Sequence, residues 1–138
     1  MLWVFFIFVI KLRTMTPKEF YREIKKRVIF EMARMGYPRK GFSIAHHQRN
    51  TSGEKSPNGD WESYWEENHY SHHFPLEPHK CPSCLEHQST FVGSHILVSE
   101  KAYIAPICKH CNDTYKGGKA DEHYFYVRTK DMVRVPEH

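Results

Sequence analysis

The clearest periodic pattern along the chain is a row of apolar residues three or four positions apart. Its members are Phe20, Ile24, Val28, Met32 and Met35. This spacing puts them on one side of an α-helix, and we expect that side to pack into the core. Thr16 and Glu19 have the spacing of a capping box at its start, and Gly36 is suited to ending it. The pattern therefore predicts a helix over about residues 17–35.

The middle of the chain predicts less regular structure. Residues 45–80 are rich in His, Asn, Ser, Gly and Pro, and residues 50–60 within them are typical of a loop. Trp61, Tyr64 and Trp65 follow at a spacing that predicts a short amphipathic turn covering the core. The histidines at positions 69, 72 and 73 are a weak candidate for metal binding, since loop histidines are more often solvated.

The C-terminal part predicts strands around a short helix. Residues 91–98 are typical of a strand interrupted at Gly93, and residues 103–107 form a second short apolar run. Asn112 is suited to capping a short helix that follows. The apolar residues between positions 123 and 135 predict one or two strands that close the sheet.

Composition and charge narrow the class of protein. A chain of 138 residues fits one compact domain, and 40% hydrophobic residues with a mean hydropathy of −0.67 give a modest core that a metal ion would help to stabilise. The net charge is +4. Residues 15–50 carry nine bases and three acids, whereas residues 51–80 carry two bases and six acids. The basic segment suits a polyanion such as nucleic acid, or else is simply a solvated helix surface.

Residues 1–10 (MLWVFFIFVI) form an apolar run that is too short to span a bilayer unaided. Bases follow this run at Lys11 and Arg13, whereas a signal peptide has its bases before the apolar stretch. Three interpretations stay open: translation that truly begins at Met15, a weak membrane anchor, or an N-terminal strand. The first is favoured. We therefore expect a cytoplasmic protein, with membrane association only if residues 1–14 are a real anchor.

The four cysteines form two C-x2-C pairs, which are Cys81 with Cys84 and Cys108 with Cys111. Two such pairs supply four sulfur ligands at the corners of a tetrahedron, which is the coordination of structural zinc. The 23 residues between the pairs leave room for a β-hairpin. Disulfides are the competing use, but two-residue gaps give them poor geometry. The spacing predicts one zinc ion in a closed, structural four-cysteine site.

The order of motifs around these cysteines resembles that of the zinc-stapled HNH endonucleases. The motifs are CPSC at 81–84, GSHI at 93–96 and YIAPICKHCN at 103–112. The resemblance covers about residues 79–119 and implies a treble-clef ββα core. The expected fold is α+β: the N-terminal helix packs on this zinc-bound unit, and C-terminal strands close the sheet. This expected fold divides the chain into three segments, which are residues 1–14, 15–78 and 79–138.

The resemblance also implies an activity. His95 would be the general base that activates water, and Asn112 would help to hold a catalytic divalent ion, magnesium or another, distinct from the zinc. The substrate would be DNA, and such enzymes are carried by phages, mobile elements and bacterial defence loci. The candidate DNA-contacting residues are Arg39, Lys40, Lys116 and Lys119.

The sequence departs from the HNH pattern in two places. The residue before the catalytic histidine is commonly an acid that binds the metal, but here it is Ser94. The middle asparagine of the motif falls near Tyr103. Asp113, His110 or a histidine of the 69–73 cluster would have to replace the missing ligands. The alternative function is a treble-clef zinc module that lacks catalysis and binds nucleic acid or a protein partner.

Overall fold

A computed structural model of the chain describes residues 14–49, 51, 53–57, 59–75, 79–115 and 122–136. These residues form three α-helices, a five-stranded antiparallel sheet and a two-stranded ribbon. The predicted α+β class is therefore confirmed. The prediction about residues 1–10 and the candidate DNA contacts Lys116 and Lys119 lie outside the described residues.

The helices and strands have the following bounds. The helices are α1 (Pro17–Arg34), α2 (Trp61–Asn68) and α3 (Lys109–Tyr115). The strands are β1 (Phe42–His47), β2 (His79–Lys80), β3 (His87–Gln88), β4 (Phe91–Val98), β5 (Lys101–Cys108), β6 (Tyr124–Arg128) and β7 (Val133–Arg134). The five-stranded sheet has the order β6-β1-β4-β5-β7, and β2 pairs only with β3 among the described strands.

Helix α1 begins where the sequence predicts. The backbone N–H of Glu19 donates to Thr16 Oγ1 at 3.2 Å, and the backbone N–H of Thr16 donates to Glu19 Oε2 at 3.3 Å. This capping box satisfies two N–H groups that have no partner within the helix. The helix ends at Arg34, followed by Gly36 at a φ of 82°, so the predicted helix over residues 17–35 is confirmed.

The prediction that the apolar row of α1 packs into the core was wrong. Met35 is 58% exposed and Val28 is 52% exposed, whereas Lys26 and Ala33 are buried. Phe30, on the buried side, meets the ring of His123 edge-on at a centroid distance of 4.6 Å. The small side chain of Ala33 lets the helix approach β6, against which α1 packs. The sheet therefore contacts the other side of the helix.

The side chain of Lys26 is buried, which the spacing of apolar residues in α1 did not predict. Its Nζ forms a salt bridge with Glu86, and Glu23 lies 3.6 Å from the same atom. A buried ammonium group is tolerated when carboxylates pair with it. Because Glu86 is 60 residues away along the chain, only the tertiary fold brings this partner to α1.

Strand β1 lies in a segment where the sequence predicted no strand. It pairs with β6 on one side and with β4 on the other, with His47 opposite Ile96. Ala45 within it is fully buried. Its short run with two histidines resembles the polar stretch that follows, which is why the pattern did not separate them. The sheet therefore includes strands from both 15–78 and 79–138.

Helix α2 covers one side of the sheet, as its aromatic residues predicted. Trp65 is 2% exposed, and its indole N–H donates to the carbonyl of Asp131 at 2.9 Å. The hydroxyl of Tyr64 donates to the carbonyl of Arg134 at 2.6 Å. These bonds join α2 to the segment around β7. Both predicted closing strands are present, with β6 and β7 at opposite edges of the sheet.

Strand β4 runs without the interruption predicted at Gly93. The strand pairs continuously with β5 from Phe91 to Val98. Gly93 instead allows α2 to lie close to β4. A Cβ placed on this residue would lie 2.9 Å from the carbonyl carbon of Trp61 and 3.0 Å from the backbone nitrogen of Glu62. The start of α2 therefore sits directly over this position.

We expect Gly93→Ala to lower the free energy of unfolding by about 1–3 kcal/mol, because the added methyl group pushes against rigid backbone. Urea unfolding of the two proteins measures this difference. Gly53→Ala is the matched control, since no atom lies within 4 Å of a Cβ at that position. Equal unfolding midpoints for all three proteins would contradict the close packing of α2 on β4.

No helix within the described residues is long and apolar enough to cross a bilayer.

Candidate metal centre

The four cysteines converge at one end of the sheet. Cys81 and Cys84 lie in the turn between β2 and β3, Cys108 is the last residue of β5, and Cys111 lies in the first turn of α3. Their four Sγ atoms all lie within 4.8 Å of one another. Cys81, Cys108 and Cys111 are buried, and Cys84 is partly exposed. The two C-x2-C pairs therefore meet as their spacing predicted.

Polar hydrogens point at the sulfur atoms. The backbone N–H of Cys108 donates to Cys81 Sγ at 3.4 Å, and that of Cys111 donates to Cys108 Sγ at 3.4 Å. The side-chain amide of Gln88 donates to Cys84 Sγ at 3.7 Å. Such donors stabilise thiolates, the form in which cysteine binds a metal.

The electrostatics of the cluster favour a cation. Hydrogen bonds from the thiols of Cys111 and Cys81 hold the pKa of Cys84 below its ordinary value. The same neighbours, Cys81 first and then Cys84, raise the pKa of Cys111. The pKa shifts are opposed mainly because one thiol keeps its proton by donating it to a neighbouring sulfur, and burial adds to the raised pKa of Cys111. A divalent zinc ion removes this difference, because a coordinating thiol is deprotonated outright. The donor set and its geometry fit structural zinc.

Three aromatic or imidazole rings support the turn that holds Cys81 and Cys84. His47 Nε2 lies 2.8 Å from Ser83 Oγ, and His123 Nε2 donates to the Ser83 carbonyl at 2.6 Å. Tyr115 stacks on His47 at 4.6 Å. Burial lowers the pKa of His47 to about 3 and also lowers that of His123, so both imidazoles are neutral at physiological pH. These supports come from β1, from α3 and from the residue just before β6, and sequence spacing gave no signal for them.

The two residues predicted to catalyse are separated by strand β4: His95 points to one face of it, and Asn112 of α3 packs against the other. Ser94 Oγ donates to Asn112 Oδ1 at 2.8 Å, which puts the Ser94 side chain toward α3. Successive residues of a strand point to opposite faces. His95 accordingly meets Trp61 of α2 at a ring distance of 4.6 Å, and its Nε2 lies 3.1 Å from Glu54 Oε2. The structure therefore brings Ser94, rather than His95, to Asn112.

The imidazole of His95 is largely shielded from solvent. Its side chain is 5% exposed, while that of Glu54 is 44% exposed. Burial lowers the pKa of His95, and the charge of Glu54 opposes part of that shift.

The prediction that Asn112 caps a helix was wrong, because α3 already begins at Lys109. The helix starts at the second cysteine pair, which leaves Asn112 in its middle.

The residues considered as replacement ligands have other partners or stay in solvent. Asp113 Oδ2 accepts a hydrogen bond from Lys109 Nζ at 2.8 Å, and His110 is exposed. Neither Asp113 nor His110 belongs to the group that could hold a metal ion, whose members within the described ranges are the four cysteines alone. Tyr103, at the place of the missing asparagine, has its ring centre 5.3 Å from the guanidinium of Arg134.

The 69–73 histidines contribute to folding. His69 is 4% exposed, stacks on Trp65 at 3.8 Å, and donates from Nε2 to the carbonyl of Lys130 at 2.8 Å. His72 donates from Nδ1 to the carbonyl of Glu66 at 2.8 Å. The His69 bond joins the end of α2 to the turn after β6, whereas the His72 bond returns to α2 itself. In the part of the chain that the structure describes, this cluster forms no metal site.

The remaining candidate DNA contacts, Arg39 and Lys40, lie between α1 and β1. Both side chains are exposed. The guanidinium of Arg39 lies 4.1 Å above the centre of the Phe42 ring, which holds it at the surface by a cation–π contact.

Comparison of the chain with protein-family models, with curated proteins and with solved structures finds no match. A functional proposal for this protein therefore depends on the chemistry of its own side chains.

Proposed function

We propose that this chain is a zinc-binding module of the treble-clef type that binds nucleic acid without hydrolysing it. The zinc site is supported by the convergence of the four cysteine Sγ atoms, which all lie within 4.8 Å of one another. An all-cysteine shell has no open position for substrate or water, so the zinc would be structural. It would hold the β2–β3 turn, the β4–β5 hairpin and α3 together, an order of elements similar to that of HNH proteins.

The contact between Ser94 and Asn112 supports the proposed absence of hydrolysis. In an HNH enzyme the corresponding two residues help to hold the catalytic ion. Here they bond directly at 2.8 Å, and Ser94 is 3% exposed. Both groups are neutral, and a hard cation such as magnesium prefers carboxylate oxygens. A divalent ion at this place would have to break the hydrogen bond and gain only weak ligands.

The position of His95 supports the same proposal. A general base must reach the proton it removes, directly or through one water molecule. The imidazole of His95 is covered by Trp61 and lies on the face of β4 away from Asn112. A phosphodiester held near Asn112 would therefore be out of its reach.

Nucleic acid is the partner that the charge favours. The chain carries a net charge of +4, and Arg39 and Lys40 present exposed cations at the start of β1. Cations of this kind contact phosphates without reading sequence. Lys116 and Lys119 follow α3 in the sequence and add two further bases to this part of the chain.

One observation favours a second candidate, an HNH-like endonuclease that uses magnesium or another divalent ion. The Glu54 carboxylate lies 3.1 Å from His95 Nε2. Glu54 therefore supplies a carboxylate beside His95. It comes from the loop before α2, whereas the acid of the HNH pattern would stand at position 94. If loop movement opened this pair to solvent, His95 and Glu54 would form a general-base pair.

A cleavage and binding experiment separates the two candidates. Zinc-loaded protein is incubated with supercoiled plasmid and magnesium, manganese or nickel, beside His95→Ala. We expect no nicking. Metal-dependent nicking that disappears in His95→Ala would overturn the proposal and establish the nuclease.

Binding is measured by fluorescence anisotropy with a labelled DNA duplex at several salt concentrations. We expect affinity to fall with salt, and the double variant Arg39→Ala with Lys40→Ala to reduce the salt slope by about 2, one for each phosphate contact. A folded, zinc-loaded protein that binds no DNA or RNA at low salt would refute the choice of partner while leaving the zinc site intact.

A further inference from the structure

Helix α1 carries a broad apolar face that points away from the rest of the fold. Six large apolar side chains on it are between 37% and 70% exposed. They are Phe20, Tyr21, Ile24, Val28, Met32 and Met35. The opposite side of the helix is the one that packs on β6. Exposed apolar faces of this size mark a surface that meets another apolar phase.

Basic residues border this apolar face. Lys18, Arg22 and Lys25 are exposed and recur at three- and four-residue intervals along one edge, so they share a side of the helix. On the other edge Arg34 forms a salt bridge with Glu31. Residues 1–35 carry eight bases and three acids, whereas residues 36–138 carry twelve bases and thirteen acids. Positive charge is therefore concentrated around α1.

The chain that precedes α1 is apolar at every position from 1 to 10. Lys11 and Arg13 follow the run and add positive charge where it joins the helix. The apolar run, the basic junction and the apolar face of α1 are thus continuous in sequence.

We propose that the outer face of α1 docks on an anionic lipid membrane, with the helix lying in the plane of the interface. An amphipathic helix with cationic edges binds in this way, through buried apolar area and attraction to acidic headgroups. Nucleic acid fits this face less well, because the centre of the face offers apolar groups where phosphates need cations. This docking is independent of the zinc site and of the proposed nucleic-acid binding.

Vesicle flotation tests the docking. The full zinc-loaded chain is mixed with vesicles of phosphatidylcholine alone or of phosphatidylcholine with phosphatidylserine. We expect it to float with the anionic vesicles and to be released by salt. Val28→Glu should weaken binding about tenfold, since it places a carboxylate in the centre of the face. The matched control is Tyr70→Glu, which adds the same charge at a residue that is 69% exposed outside α1, and it should bind like the unaltered chain.

Three results would overturn the proposal. The first is no binding to anionic vesicles, or equal binding by Val28→Glu and the unaltered chain. The second is a lower melting temperature for Val28→Glu than for Tyr70→Glu without lipid, which would mean that the chain's own residues cover the face. The third is a lipid-free dimer that Val28→Glu dissociates, which would assign the face to a second copy of the chain.

Discussion

Replacing Cys84 by serine is expected to release the zinc and to unfold the C-terminal half of the chain. A serine hydroxyl does not ionise at neutral pH and cannot replace a thiolate ligand. Zinc binding is worth about 10–16 kcal/mol in small zinc-finger peptides, which exceeds the total stability of many domains. The centre connects the β2–β3 turn, the end of β5 and the start of α3, so its loss removes the contact among all three.

Zinc content by atomic absorption and melting followed by circular dichroism measure this effect. His110→Ala is the matched control, because His110 lies between Cys108 and Cys111 in the same turn and is exposed. This variant should keep both zinc and melting temperature. If Cys84→Ser also kept both, the four-cysteine site would be refuted; if His110→Ala lost zinc, the histidine would be a ligand.

Replacing Phe125 by alanine is expected to cost about 3–5 kcal/mol of unfolding free energy, because it leaves a cavity in the core. Phe125 is fully buried on β6, and its ring lies 5.0 Å from that of His47. A cavity at this place would also loosen His47, which supports Ser83 in the turn between Cys81 and Cys84. Urea unfolding of the zinc-loaded protein gives the free energy.

Phe20→Ala is the informative comparison, since it removes the same ring from a side chain that is 42% exposed on α1. We expect it to cost less than about 1 kcal/mol, as surface substitutions do. A cost equal to that of Phe125→Ala would mean that the outer face of α1 is covered in solution, contrary to its exposure in the fold.

The sequence predicted the features that depend on interactions between residues close together in the chain. The start of α1 depends on Thr16 and Glu19, three residues apart, and both bonds of the predicted capping box form. Each C-x2-C pair likewise lies within one turn of chain, so its geometry is set by neighbouring residues. The C-terminal strands follow from short runs of β-branched and aromatic residues. These features do not require knowledge of what lies across the fold.

The tertiary structure decided which faces meet. A helical period identifies an apolar side of α1 but not whether the sheet covers it. Here Lys26 is buried, and Glu86 pairs with it from the turn near the four cysteines. Strand register likewise turned Ser94 toward Asn112 and His95 toward Trp61. One residue of difference reverses the face of a strand side chain. The sequence by itself determined the helix start, the cysteine pairs and the strand segments, since their interactions join near neighbours in the chain. Only the packing of distant segments decided which of their side chains share a site.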